Sequence, residues 1–96
     1  MLCQVRTYQL RENAMDDFVA LWRDHIVPAR AAHGFSVLGA WRDLDDLTFT
    51  WVVAHDAPDG WEPAEKTYYE SPERAGLPRN PADFLASSHT KVMRPA

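Results

Sequence analysis

Segments with two different hydrophobic periodicities alternate along this 96-residue chain, and their order limits what it can fold into. Strand-forming residues alternate in character from Leu2 to Leu10, and three further runs of strand type follow, FSVLGAWRD, LTFTWVVAH and SSHTKVMR. Apolar residues recur at spacings of three and four from about Ala14 to His33 and again after Trp61, as they do on one face of a helix. The predicted order is strand, helix, strand, strand, helix, strand.

That order is the split βαβ arrangement, which predicts an α+β, ferredoxin-like βαββαβ fold with a four-stranded antiparallel sheet and both helices on one face. A chain of this length supports one core, so we expect residues 1–96 to form a single domain. The second face of the sheet then has no helix to cover it. The 46% hydrophobic content, with four tryptophans, predicts that a twin chain covers this face by packing sheet against sheet.

The first helical segment contains a proline at position 28. Pro28 lacks a backbone donor and clashes with the carbonyl four residues earlier, so we expect a kink between Asp24 and Val27. A kink of this kind can open a cleft beside the sheet. His25 lies just before the kink and is therefore a candidate for proton transfer, with an ordinary histidine at the edge of the core as the alternative.

The two central runs are separated by a short acidic link, which predicts a β-hairpin. A three-residue loop would gather the large side chains on one face, whereas a two- or four-residue loop would pair the opposite set. We expect the three-residue loop, which places Trp41 opposite Phe49, Gly39 opposite Trp51, Val37 opposite Val53 and Phe35 opposite His55.

Serine-proline and asparagine-proline pairs divide the last third of the chain. Ser71 before Pro72 predicts an N-cap with proline in the first helical position, so one helix ends there and a short one begins. Asn80 before Pro81 predicts the same arrangement ahead of the last strand. Helical spacing from Trp61 directs Tyr68 toward the sheet, and we expect Tyr69 to point away.

Charge and cysteine content exclude several classes of function. The net charge of −4 and the isoelectric point near 5.4 argue against binding to nucleic acid or to an anionic membrane, because both need a basic face. No apolar stretch approaches the roughly 20 residues that cross a bilayer. Cys3 is the single cysteine, which fits a reducing compartment, so we expect a cytoplasmic protein. Its partners are expected to be a second copy of itself and a small aromatic or anionic molecule.

Motifs for metals and nucleotides are absent. The four histidines are far apart and join no cysteine cluster, so no metal site is predicted. The four glycines form neither a dinucleotide-binding fingerprint nor a phosphate-binding loop. We therefore expect no cofactor.

Arg6 is the most informative single residue, because it lies in the middle of a strand that the fold makes central. A buried guanidinium without a partner costs several kcal/mol, so Arg6 must be paired. It is a candidate to hold a carboxylate, phenolate or carbonyl group of a ligand, and the alternative is a structural ion pair. Tyr8 shares the face of Arg6 and is a candidate to donate a hydrogen bond to the same ligand.

Four aromatic residues complete the predicted site. His55, at the end of the third strand, is a second candidate for proton transfer. Trp41 and Trp51 are candidates to line a pocket for a planar substrate, although large rings on a sheet are also common in cores and dimer interfaces. Tyr68 is expected to place its hydroxyl at the rim of the cleft.

Four stretches along the chain, VRTYQL, HGFSVLGAW, YYESPE and TKVMRPA, resemble the first strand, second strand, second-helix break and last strand of the NIPSNAP family, within the dimeric α/β-barrel superfamily. The resemblance spans nearly the whole chain. It implies a ferredoxin-like protomer whose sheet pairs with that of a twin to close a barrel, with a ligand cleft between sheet and helices. The superfamily includes cofactor-free oxygenases, isomerases, cyclases and haem-handling proteins, and the fold alone does not choose among them.

Three functions follow as hypotheses. The first is a homodimeric small-molecule enzyme or ligand-binding protein, with cofactor-free oxygenation or isomerisation of a flat anionic or phenolic metabolite as its chemistry. The second is a non-catalytic homodimeric accessory module, in which the same side chains are packed or paired. The third is haem binding.

Overall fold

A computed structural model describes residues 1–96, and its elements follow the predicted order. The strands are β1 (Leu2–Leu10), β2 (Ser36–Arg42), β3 (Thr48–His55) and β4 (Leu85–Met93). The helical elements are α1 (Met15–Leu21), a π-helical segment (Trp22–Ile26), α2 (Val27–Ala31), α3 (Trp61–Tyr69), α4 (Pro72–Ala75) and a 3₁₀ turn (Pro81–Phe84).

The four strands form one antiparallel sheet in the order β2-β3-β1-β4, which confirms the ferredoxin-like α+β fold. Because β1 is central, its alternate side chains are covered by the helices, and Arg6 there lies opposite Trp51 of β3. The core lies between this face and the helices, with Phe18, Trp51, Val53 and Tyr68 almost fully buried. Burial on this scale supplies the main driving force for folding.

The helix around Pro28 departs from regular α-helical geometry, as its proline predicts. The departure takes the form of a wider, π-helical turn. The backbone N–H of Val27 donates to the carbonyl of Trp22, which is the hydrogen bond of a π-helix. The wide turn accommodates one extra residue before Pro28. It leaves His25 exposed and turns Ile26 and Arg30 to the buried side.

The β2–β3 register differs from the expected one beyond Val37. Val37 pairs with Val53 as predicted, but an irregularity at Leu38 shifts the register by one residue. Trp41 consequently pairs with Thr50 instead of Phe49. The prediction that Trp41 shares a face with Trp51 is wrong, because one extra residue in a strand reverses the faces of all residues that follow it.

The caps predicted at Ser71 and Asn80 are confirmed. The hydroxyl of Ser71 accepts a hydrogen bond from the backbone N–H of Arg74 at the start of α4. The side chain of Asn80 accepts one from the backbone N–H of Ala82 at the 3₁₀ turn. Each cap supplies an acceptor for a donor that the helix leaves unpaired.

The second face of the sheet carries no helix. Thr50 and Val52 of β3 belong to this face, together with Trp41, which folds over Gly39 and is 60% exposed. Leu38 in the irregular part of β2 and Met93 at the end of β4 are also exposed apolar side chains. None of the helices is long and apolar enough to pass through a bilayer.

Candidate functional site

A cleft of about 260 Å³ lies between the sheet and the helices. Its wall is built from β1, β3 and β4 on one side and from α2, α3, α4 and the 3₁₀ turn on the other. Three arginines, Arg6, Arg30 and Arg74, line it, and none of the residues that line it is acidic. The remaining lining residues are four aromatic side chains and a set of apolar or small ones, namely Tyr8, Trp51, Tyr68, Tyr69, Ile26, Pro81, Ala82, Leu85 and Ser88.

Arg6 projects from the central strand into a network of neutral oxygens. Its Nε donates to the hydroxyl of Tyr8 at 2.6 Å, its Nη1 donates to the side-chain carbonyl of Gln4, and its Nη2 donates to the hydroxyl of Tyr69 at 3.1 Å. Nη1 also lies 3.4 Å from a carboxylate oxygen of Glu65. The network holds the guanidinium in a fixed orientation at the wall of the cleft.

Arg30 is more deeply buried than Arg6, with 2% of its surface exposed. Its Nη1 donates to the other carboxylate oxygen of Glu65. Its guanidinium lies over the ring of Tyr68, 4.2 Å from the ring centre, and close to Phe35. Glu65 therefore serves as counter-ion to both guanidiniums, and the buried group carries two positive charges against one negative charge.

Two buried donors at the cleft have no hydrogen-bond partner within the chain. They are Nε of Arg30 and Nε1 of Trp51, and both residues line the cleft. A buried donor without an acceptor costs about 1–3 kcal/mol. Nε1 of Trp22 and of Trp61, which do not line the cleft, are unpaired in the same way, so the surplus of positive charge is the feature that distinguishes the cleft and favours an anion.

The environment keeps Arg6 charged. Burial alone lowers the pKa of its guanidinium, but Tyr8, Tyr69 and the carboxylate of Glu65 together outweigh burial and raise that pKa above its ordinary value. Burial also raises the pKa of the Tyr68 hydroxyl, against a smaller opposite effect of Arg30. At neutral pH the cleft therefore presents the charged guanidinium of Arg6 and the neutral phenol of Tyr68.

Four of the predicted site residues meet at this cleft. Arg6, Tyr8, Trp51 and Tyr68 all line it. Tyr8 packs edge-on against Phe18, so its ring belongs to the core while its hydroxyl binds Arg6. This placement agrees with the expected cleft between sheet and helices, and the roles of the four residues in binding stay predictions.

Trp41, His25 and His55 do not lie at the cleft. Trp41 is on the opposite face of the sheet because of the register shift, and His25 is exposed because of the π-helical turn. His55 accepts from the backbone N–H of Ala57 at Nδ1 and, in its neutral form, donates from Nε2 to the carbonyl of His33. Proton transfer by His25 or His55 stays a prediction that no contact with the cleft supports.

The full sequence matches the family model of NIPSNAP proteins over residues 3–96. The chain belongs to the NIPSNAP family. The match covers nearly the whole of this NIPSNAP chain and confirms the resemblance carried by its four short stretches. No curated protein matches it.

Solved structures similar to this NIPSNAP chain share its fold at low sequence identity. A NIPSNAP domain protein from Burkholderia xenovorans superposes with a TM-score of 0.82 at 16% identity, covering 100% of this chain and 95% of its own. Protein Atu4242 from Agrobacterium tumefaciens superposes with a TM-score of 0.83 at 17% identity, and the match covers 100% of this chain and 94% of that protein. An antibiotic biosynthesis monooxygenase superposes with a TM-score of 0.72 at 14% identity, and the match covers 100% of this chain and 99% of that protein. At these identities the likeness shows the fold and leaves the reaction open.

Three side chains of this NIPSNAP protein that were not predicted as site residues lie at the cleft or directly behind its wall. Arg30 lines the cleft and forms a partly buried ion pair with Glu65, and Tyr69 binds Arg6 instead of pointing away as expected. A signal for Arg30 was present, because it stands four residues after Ile26 on the apolar stripe of the helix. Glu65 likewise stands four residues after Trp61 and three before Tyr68.

Proposed function

We propose that this NIPSNAP protein binds a small organic anion with a planar, apolar body in the cleft between sheet and helices. The observation that carries the proposal is the cleft wall, which contains three arginines and no carboxylate. Two of these arginines are buried and share one counter-ion, Glu65. A buried surplus of positive charge is costly unless an anion compensates it.

The orientation of the ligand follows from the distribution of donors. Its anionic group would lie at Arg30 and Trp51, whose unpaired nitrogens can each donate a hydrogen bond. Guanidinium groups suit carboxylate and enolate oxygens because their donors lie in a plane. The apolar body would extend along Tyr8 toward Leu85, where the wall has no charged group besides Arg74.

The volume of the cleft favours a single-ring ligand over haem. A volume of 260 Å³ corresponds to about nine water molecules in the liquid, at about 30 Å³ each. A haem macrocycle is far larger than this. No histidine or cysteine is among the lining residues to serve as an axial ligand.

The chemistry that best fits an arginine-lined cleft is stabilisation of an anionic intermediate. Isomerisation by proton transfer and cofactor-free oxygenation both begin when the substrate loses a proton and becomes an enolate or phenolate. No histidine or carboxylate lines the cleft, so solvent would accept that proton. Fixed guanidiniums in a buried site stabilise such an anion strongly. The similarity in fold to an antibiotic biosynthesis monooxygenase is compatible with this class of reaction.

We also propose that the protein is a homodimer, joined through the sheet face that carries no helix. Trp41, Leu38 and Met93 are large apolar side chains that remain exposed on one chain. Exposed apolar surface of this kind is typical of protein interfaces. Both the accessory-module hypothesis and the enzyme hypothesis include this dimer. They differ in whether the protein converts the ligand in its cleft to a product.

The test of binding is the thermal stability of the protein with a panel of aromatic carboxylates, phenols, their neutral analogues and haem. A ligand that binds only the folded state adds about 2.7 kcal/mol at 100 times its Kd. We expect the carboxylates to raise Tm and the neutral amides of the same ring to leave it unchanged. Equal shifts for acids and amides, or a shift with haem alone, would contradict the proposal.

Arg30→Gln tests the site itself. Removing one of two guanidiniums leaves Arg6 and Glu65 as a balanced pair, so the fold is expected to survive. Affinity for the best carboxylate should fall by about 10- to 100-fold, the usual cost of a charge-assisted hydrogen bond. Arg23→Gln is the matched control, because Arg23 lies on the same helical stretch but pairs at the surface with Asp24.

Turnover separates an enzyme from an accessory protein. A bound 1,3-diketone, whose enolate is a monoanion, should exchange its acidic C–H for deuterium in D₂O, measured by proton NMR, if the cleft stabilises an enolate. Binding without exchange, and without oxygen consumption in an electrode cell, would favour the non-catalytic module.

A further inference from the structure

The charges around the cleft do not balance, and Glu65 determines the size of the imbalance. One of its carboxylate oxygens accepts from Arg30, and the other lies 3.4 Å from Nη1 of Arg6. Both oxygens are thereby occupied by guanidiniums. Glu65 is not among the residues that line the cleft, so it lies behind the arginines that a ligand would meet.

We propose that Glu65 sets the charge of the ligand, so that the cleft selects a monoanion over a dianion of the same shape. This inference rests on the proposed function, since it presupposes that the cleft binds an anion. Arg6 and Arg30 carry two positive charges, and Glu65 cancels one of them. One further negative charge neutralises the group, whose partial burial strengthens the interactions between its charges relative to those in water.

A second negative charge on the ligand has no buried partner. The remaining cation of the wall, Arg74, belongs to the short helix α4 and is partly exposed, with its guanidinium stacked on the ring of Tyr69 at 5.3 Å. Ion pairs at partly exposed positions contribute less than buried ones, because water and salt screen them. A dianion must therefore desolvate its second carboxylate for a weaker interaction than its first carboxylate makes.

The position of Glu65 in α3 makes this selection a fixed property of the cleft. Trp61 and Tyr68, one turn before and one turn after it, are both buried and hold this face of the helix against the core. The backbone of Glu65 is thereby held beside the two guanidiniums, which its carboxylate contacts. Neutralising Glu65 would leave two uncompensated guanidiniums, which is the charge that a dianion matches.

The test uses three probes with one shape and different charge: terephthalate with two carboxylates, its monoamide with one, and terephthalamide with none. Affinities are measured by isothermal titration calorimetry at constant ionic strength and neutral pH. We expect the wild-type protein to bind the monoamide at least about tenfold more tightly than terephthalate, a difference of about 1.4 kcal/mol. Terephthalamide should bind most weakly.

Glu65→Gln should abolish or reverse the preference between the two anions. The ratio of the terephthalate affinity to the monoamide affinity should rise by at least about tenfold, because the buried group then carries two positive charges. Glu62→Gln is the matched control, since Glu62 lies on the same helix, is exposed and makes no contact with the arginines. Its ratio should equal that of the wild type.

Failure of this inference is distinguishable from failure of the proposed function. Equal binding of all three probes to the wild type would contradict the proposed anion site. The inference about Glu65 would then fail as well, because it rests on that site. A preference for anions over the diamide, with an unchanged ratio in Glu65→Gln, overturns the role of Glu65 alone. The wild-type protein alone tests the inference if Glu65→Gln does not fold. Terephthalate that binds the wild type as tightly as the monoamide does would contradict selection of a monoanion.

Discussion

The buried polar side chains of this protein divide into those whose hydrogen-bonding groups are all occupied and those with a group left over. His55 uses both ring nitrogens within the chain, whereas Arg30 keeps Nε and Trp51 keeps Nε1 without a partner. A side chain with an unused donor can bind a ligand without losing a native hydrogen bond, and one without cannot. At the scale of single residues, this favours guanidinium and indole donors for binding and a structural role for His55.

His55→Phe is the prediction at this scale. The substitution removes two hydrogen bonds and keeps a ring beside Phe35, so it should lower the free energy of unfolding by about 1–3 kcal/mol. Affinity for carboxylates should stay unchanged, because His55 does not line the cleft. Urea denaturation and calorimetry measure the two effects. Full stability combined with a loss of turnover would instead support proton transfer by His55.

At the scale of elements, the junction of α3 and α4 connects helix capping to the cleft. The hydroxyl of Ser71 donates to the carbonyl of Tyr68 in α3 and accepts from the backbone N–H of Arg74 in α4. Tyr68 and Arg74 both line the cleft. One buried hydroxyl therefore fixes the relative position of two segments of the cleft wall.

Ser71→Ala should show that connection. Loss of the N-cap is expected to lower the free energy of unfolding by about 1 kcal/mol or slightly more, since a second hydrogen bond is lost with it. Carboxylate affinity should weaken as well, because α4 loses its anchor on α3. Ser87→Ala, in the exposed strand β4, is the matched control and should change neither quantity. A destabilised Ser71→Ala with wild-type affinity would separate the cap from the cleft.

At the scale of the whole molecule, one layer of helices and one layer of sheet make a slab 19 Å thick. A slab of two layers protects one face of its sheet and leaves the other in contact with water. Trp41 and Met93 lie on the open face, which no helix covers. A twin sheet would bury these side chains and complete the core that a short chain lacks.

Trp41→Lys tests the proposed dimer. A charge placed on an apolar sheet-to-sheet interface should shift the protein from dimer to monomer, measured by size-exclusion chromatography with light scattering. Leu44→Lys is the matched control, because Leu44 is fully exposed in the β2–β3 connection instead of on the sheet. A wild-type protein that is already monomeric at micromolar concentration would exclude the dimer.

Particular elements show how much of the fold was predictable. The strand β1, the helical stretches and the caps at Ser71 and Asn80 follow from patterns within a few residues, and all of them were predicted. The irregularity at Leu38 and the π-helical turn before Pro28 were not. Each adds one residue to its element, which changes the face on which the later side chains lie. The pattern of apolar residues in the sequence does not predict a shift of one residue.

The sequence by itself determined the order of the elements, the points where helices begin and end, and the shared face of Arg6 and Tyr8, because these depend on neighbours along the chain. Only the tertiary structure decided that Arg30 joins the cleft, that Trp41 leaves it, and that Glu65 is the counter-ion. Glu65 stands 35 residues from Arg30 and 59 from Arg6, so no local pattern links them. The physical reason is that a buried charge takes its partner from whichever side chains packing brings near, and packing is decided by the whole chain.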